Sequence, residues 1–305
     1  MDTPKYVVLG ANGYIGRHII KMLTDKGYGI LAVDIQKSSI MENIPYMQLD
    51  IKGKDWVEKT DLSSDYIIFL SGLTGTYGGF ENYEQYVLAN EIGLLNVLNS
   101  IRKYSKKPRV IFSSSRLVYK GNENPITEDG QKECKTIYAI NKLACENILK
   151  AYANVFKIPY TIFRTCVPYG NLFNDNYSFG TIGFFLKNAK NKQPIVLYGD
   201  GSMRRTFTHI EDVCEQILLA GIHPDAVNTV YNIGGESFSL VEAASLFAKK
   251  YNVEVKFCPW PENDLLIESG HTVFNSEKIE KLLNRPLKYK LKDYICNNEW
   301  GIINV

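Results

Sequence analysis

The sequence predicts an α/β fold: a doubly wound parallel sheet with helices on both faces, followed by a smaller lobe. Two observations carry this. Apolar runs and helix-period stretches alternate through the first half of the chain, and the first run opens directly into a glycine-rich turn. Strands are expected near 5–9, 29–34, 45–49, 65–70, 108–113 and 159–165. Helices are expected near 14–26, 81–106, 136–157, 210–222 and 239–251. Right-handed crossovers between parallel strands then place helices on each side of the sheet. Beyond about residue 166 the rhythm loosens into Gly/Asn/Tyr-rich loops with shorter elements.

The first strand, Tyr6-Val-Val-Leu9, runs into Gly10-Ala-Asn-Gly-Tyr-Ile-Gly16, and Ile19-Ile20-Lys-Met-Leu23 continues at helical spacing. Strand, tight glycine turn and helix in that order make a pocket for a dinucleotide pyrophosphate. Gly10 permits the turn, Gly13 lets the backbone approach the phosphates, and Gly16 lets helix and strand pack closely. The free N–H groups and positive dipole end of the helix face the anion. The second strand, Ile30-Leu-Ala-Val33, ends in Asp34. A carboxylate there accepts from the adenosine ribose hydroxyls of NAD and repels the 2′-phosphate of NADP. Asp50 ends the next apolar run, where it would meet the adenine amino group. NAD is therefore the expected cofactor.

The strand Val110-Ile-Phe ends in Ser113, Ser114 and Ser115. Ligands of parallel sheets sit beyond the strands' carboxyl ends, so all three hydroxyls are expected to point into the crevice. Tyr138-Ala-Ile-Asn-Lys142 puts a phenol and an ammonium on one helix face, about 5–6 Å apart at Cβ. A free phenol has a pKa near 10, about 4 kcal/mol from serving as a base at neutral pH. A nearby ammonium and a cationic nicotinamide favour the phenolate. Lys142 would also hold the nicotinamide ribose, and Ser115 would hold the substrate oxygen for Tyr138 as general acid/base.

Composition excludes other classes. With 35 Lys and Arg against 33 Asp and Glu, both signs scattered, no basic stripe points to nucleic acid. No run of about 18 apolar residues points to a membrane span, and the early first strand leaves no room for a signal peptide. The six cysteines show no metal spacing and no metal site is expected, so a cytoplasmic protein with reduced thiols is the default. His18, His223 and His271 have no ligand neighbours at metal spacing.

Taken in order, these motifs resemble the extended short-chain dehydrogenase/reductase family, in its nucleotide-sugar epimerase/dehydratase branch of UDP-glucose 4-epimerase-like members. Asn90 before Gly93-Leu-Leu-Asn-Val-Leu, Arg164-Thr-Cys-Val-Pro-Tyr-Gly170, Gly199-Asp-Gly-Ser-Met-Arg-Arg205 and Tyr231-Asn-Ile-Gly-Gly235 complete the series. The resemblance implies a Rossmann lobe over 1–165, with return segments near 199–233, and a smaller α/β substrate-binding lobe over most of 166–305. It implies that NAD is held by Gly10, Asn12, Gly13, Tyr14, Ile15, Gly16, Asp34, Ile35, Asp50, Ile51, Leu70, Ser71, Gly72, Ser113, Tyr138, Lys142 and Pro168. It implies a nucleoside-diphosphate sugar substrate met by Ser115, Tyr138, Val167 and Arg205, whose guanidinium fork suits phosphate oxygens. His209 falls at a position that reads as structural.

Departures narrow the reaction. The branch's dehydratases carry Asp-Glu after the serine, and its 3,5-epimerases carry a Cys two residues on. Here Arg116 and Leu117 stand there, and the decarboxylases' Glu is missing too. Oxidation and reduction at one carbon, usually C4, remain. Val167 replaces an Asn, and Pro261-Glu-Asn-Asp264 replaces a second phosphate-binding Arg. The expectation is therefore NAD-dependent C4 epimerisation. The alternatives are reduction of a nucleotide-linked 4-keto-6-deoxysugar and cofactor binding without turnover. The resemblance also implies a homodimer pairing the helices near 81–106 and 136–157, through Leu88, Ile92, Leu95 and Leu98 on one and Ile140, Leu143 and Ile148 on the other.

Overall fold

The computed structural model describes residues 5–173 and 179–297, which fall into two compact units. The first comprises 5–118, 136–164 and 217–231; the second comprises 119–135, 165–216 and 232–297 within those limits.

A seven-stranded sheet organises the first unit. Its strands, in order across the sheet, are Thr229–Asn232, Tyr160–Thr165, Arg109–Ser115, Tyr66–Phe69, Lys5–Leu9, Gly29–Asp34 and Tyr46–Gln48. Lys5–Leu9 pairs in parallel with both Gly29–Asp34 and Tyr66–Phe69, and Tyr66–Phe69 in turn with Arg109–Ser115. Val7, Leu9, Ile67, Phe69, Val110 and Phe112 are all buried in one apolar cluster, as continuous apolar runs in a sheet covered on both faces should be. The helix Tyr14–Asp25 follows the glycine turn directly. The helix Ile137–Phe156 starts where the Thr136 hydroxyl accepts the Ala139 N–H at 3.1 Å, and ends at Lys157 in the left-handed region.

One element differs from expectation. The segment near 81–106 is not a continuous α-helix: short turns at Gly78–Glu81 and Tyr83–Tyr86 lead into a π-helical stretch, Val87–Ile92, before the α-helix Gly93–Ile101. The widened turn accompanies Asn90, whose buried amide clasps Leu73 by accepting its N–H at 2.7 Å and donating to its carbonyl at 3.1 Å. Hydrophobic period alone does not register such a turn.

The second unit holds a three-stranded sheet ordered Glu236–Ser239, Arg204–His209, Val167–Tyr169, and a parallel pair, Ile195–Tyr198 with Val255–Cys258. Phe185, Phe207 and Phe247 lie at its core. Ser239 and Glu242 close a capping box on the helix Leu240–Tyr251. Residues 119–135, expected in the nucleotide lobe, belong here instead. The Tyr119 hydroxyl donates to Asn232 at 2.7 Å, and Glu128 accepts the Asn232 N–H at 2.9 Å.

Candidate active site

The cofactor cradle forms at the carboxyl ends of the first unit's strands. Gly10 has φ +84°, and a Cβ there would meet the backbone of Leu70 and Ser71; a Cβ on Gly16 would strike the Gly10 carbonyl oxygen. The turn is thus closed to any side chain at either position. Gly10, Gly13, Asp34, Ile35, Asp50, Ile51, Leu70, Ser71 and Gly72 line one cavity of about 330 Å³. A cradle that only glycine can form, with an acid at its far strand end, fits a dinucleotide.

The remaining candidates lie around this cavity or apart from it. Tyr14 is buried edge-on to His18, at 5.3 Å between ring centres, and Ile15 is half-exposed. Asn12 bonds the loop after Asp34 with its whole side chain. Its amide nitrogen donates to Gln36 Oε1 at 3.0 Å and the Ser38 carbonyl at 2.9 Å, while its oxygen accepts the Ile40 N–H. The Asp34 carboxylate accepts the N–H groups of Asn12 at 3.0 Å and Gln36 at 3.2 Å. Asn12 therefore holds that loop in place beside Asp34. Pro168, Val167 and Arg205 belong to the second unit, where Val167 is part of the apolar core.

The reactive groups meet at the end of the strand Arg109–Ser115. Lys142 is buried and its ammonium donates to the Ser113 carbonyl at 2.7 Å, 5.8 Å from the Tyr138 ring centre. Ser115 is buried, accepts the Leu117 N–H at 3.2 Å and hydrogen-bonds Tyr138. Ser114 breaks the expectation of three hydroxyls facing the crevice. Strand side chains alternate between faces, and Ser114 turns to the opposite side to donate to Glu146 at 2.6 Å.

Burial works against both charged forms here. It pushes the Tyr138 phenol up to about 12, against the pull of the Ser115 hydrogen bond, and the Lys142 ammonium down to about 8. In the chain by itself, desolvation therefore outweighs the phenolate-favouring effect expected of the lysine. The Lys142 value has a consequence for rate. As pH rises through about 8, Lys142 loses the proton that gives it a positive charge, and a positively charged cofactor ring held close to it would lower that point further. An alkaline fall in kcat/KM at or below about pH 8 is the expected profile; a plateau to pH 10 would remove Lys142 from catalysis.

Sequence reasoning passed over the support behind these groups. Glu146, one turn beyond Lys142, is paired with Arg164 through Nε at 2.9 Å and NH2 at 2.6 Å, with the two side chains 0% and 3% exposed. Its signal was the continuation of the Tyr138, Lys142 spacing by four more residues. Asn90 donates to Asn141 at 3.3 Å, and Asn141 to Glu91 at 2.5 Å, which ties the loop at Leu73 to the helix bearing Tyr138.

Known proteins resemble this chain in sequence and in fold. The chain is 29% identical over 246 residues to a probable UDP-glucuronate 4-epimerase of Rhizobium meliloti, covering 74% of this chain and 71% of the relative. It is 29% identical over 235 residues to a putative UDP-glucose 4-epimerase of Methanocaldococcus jannaschii, covering 75% and 76%. Among solved structures, UDP-glucose 4-epimerase of Thermotoga maritima with UDP-glucose superposes at a TM-score of 0.85, with 24% identity over 95% of this chain and 96% of that one. Pal from Bacillus thuringiensis gives 0.87, with 24% identity and 98% coverage of both. These two show that the fold is shared. The model of the NAD dependent epimerase/dehydratase family matches residues 6–234, so NAD is the cofactor and the chain belongs to that family.

Proposed function

We propose that the protein interconverts C4 epimers of a nucleoside-diphosphate sugar. The observation that carries this reading is the convergence of Ser115, Tyr138 and Lys142 at one strand end of the cradle unit. Bound NAD would supply the hydride acceptor and donor, and the positive charge of its oxidised ring would favour the phenolate. Tyr138 accepts the proton of the C4 hydroxyl as the carbon is oxidised, and returns it once the 4-keto sugar has turned over. Ser115 holds the reacting oxygen, and Lys142 keeps positive charge near the phenolate. Arg116 and Leu117 offer neither the acid pair of an elimination nor a thiol, which supports a reaction confined to one carbon. In the second unit, Arg205 is the group assigned to the diphosphate.

Among the described residues no helix is long and apolar enough to cross a membrane. Among the described residues no disulfide joins the six cysteines, in keeping with a cytoplasmic setting. A homodimer is part of the same reading, supported by Leu88 and Ile140 at 38% and 48% exposure on the two helical segments, although Leu98 is spent in the core.

The test is incubation with a panel of UDP-sugars in deuterated solvent without added reductant. The expected result is a C4 epimer unlabelled at C4, formed by protein that carries its NAD through purification. Product that appears only with one equivalent of added NADPH would make the protein a ketosugar reductase. No turnover with NAD still bound would make it a binding protein.

A further inference from the structure

Arg205 belongs to the strand Arg204–His209 of the second unit, and its guanidinium is already engaged. NH2 lies 2.5 Å from Glu268 Oε1, and NH1 donates to the carbonyls of Arg204 at 2.9 Å and Gly270 at 2.5 Å. The Arg205 side chain is 2% exposed and that of Glu268 15%, so the pair is nearly dry. A phosphate that binds NH2 where the carboxylate now sits must displace it, because both anions bond the same N–H group. The segment carrying Glu268 is placed to yield. It follows the short helix Glu262–Ile267, which buries no residue and leaves Leu265 and Leu266 exposed. Beyond it, Lys135 donates to the Glu268 carbonyl at 2.8 Å and the Gly270 N–H to its carboxylate at 3.1 Å. Main-chain bonds to Asn122 and Arg204 hold His271 and Thr272, so the helix and the Glu268 carboxylate are the parts able to yield.

Resting on the reading of Arg205 as the diphosphate anchor, we propose that Glu268 is a resident latch. Its carboxylate occupies the phosphate-binding fork of Arg205 and is displaced by the incoming diphosphate, so Glu268 sets the affinity of the nucleotide site. The exchange trades a singly charged anion for the doubly charged diphosphate linkage, and the guanidinium is never left buried without a partner. No core burial is lost when the helix moves with its latch. Glu268 is thus a specificity residue that opposes binding in the empty site and keeps the arginine aligned until substrate arrives.

The experiment is calorimetric titration of the NAD-loaded protein with UDP-glucose. Glu268→Gln removes the competing charge but keeps a carbonyl oxygen for the fork; it should tighten binding about tenfold. Glu268→Asp, which keeps the charge on a shorter arm, should tighten it by a smaller factor, and it guards against a folding failure of the first variant. Arg205→Met should weaken binding about tenfold or more. If Arg205→Met weakens binding while both Glu268 variants leave it unchanged or weaker, the latch is wrong and the diphosphate reading stands. If Arg205→Met binds like the parent, the anchor itself is wrong and the latch falls with it.

Discussion

Tyr138→Phe is expected to lower turnover by about 10²–10⁴-fold while leaving the fold and the bound NAD in place. The change deletes one oxygen. The ring stays on a helix whose start is capped by Thr136, and Lys142 keeps its bond to the Ser113 carbonyl at 2.7 Å. What is lost is the group proposed to carry the proton, held by Ser115 on a half-buried ring. Steady-state rates on the active UDP-sugar, with cofactor content measured after extraction, check both halves. Parent-level turnover would show that the proton moves elsewhere, and loss of NAD would mean the phenol mainly supports the cradle.

The largest expected effect on stability belongs to Arg164→Met. Glu146 is completely buried, and Arg164 supplies two of its hydrogen bonds. Removing the guanidinium strands a carboxylate in the interior, which costs about 3–5 kcal/mol. Fluorescence-monitored urea unfolding should show a lowered midpoint for the cradle unit. Adding Glu146→Leu in the same chain should restore much of the loss, because the pair itself adds little net stability once both charges are gone. If the single variant unfolds at the parent's midpoint, water reaches this site and the pair is not the dry support described above.

Much of the architecture was legible in the sequence where the pattern is local. The glycine turn, the apolar strands ending at Leu9 and Asp34, and the capped helix carrying Tyr138 all lie within short windows whose period or turn chemistry is distinctive. The serine run shows a rule within reach but not applied: strand alternation requires Ser114 to face away from Ser113 and Ser115. The π turn at Val87–Ile92 was not legible, since its apolar residues fit an ordinary helix and the clasp on Leu73 that accompanies it joins positions 17 residues apart. Arg205 and Glu268 lie 63 residues apart, and nothing in either neighbourhood marks them as partners. The same holds for the strand pair Ile195–Tyr198 and Val255–Cys258, and for the return of residues 119–135 to the second unit, both of which depend on distant pairing.

The alternation along Arg109–Ser115 separates two duties within a single strand end. The Ser113 carbonyl meets Lys142 and the Ser115 hydroxyl bonds Tyr138, while Ser114 is anchored to the ionic node behind them. Reactive positions can therefore be rewritten, here and at the adjacent Arg116 and Leu117, without disturbing the brace that keeps the strand in register. One scaffold can in this way exchange its chemistry by small edits on one side of the strand end, while the opposite side preserves alignment.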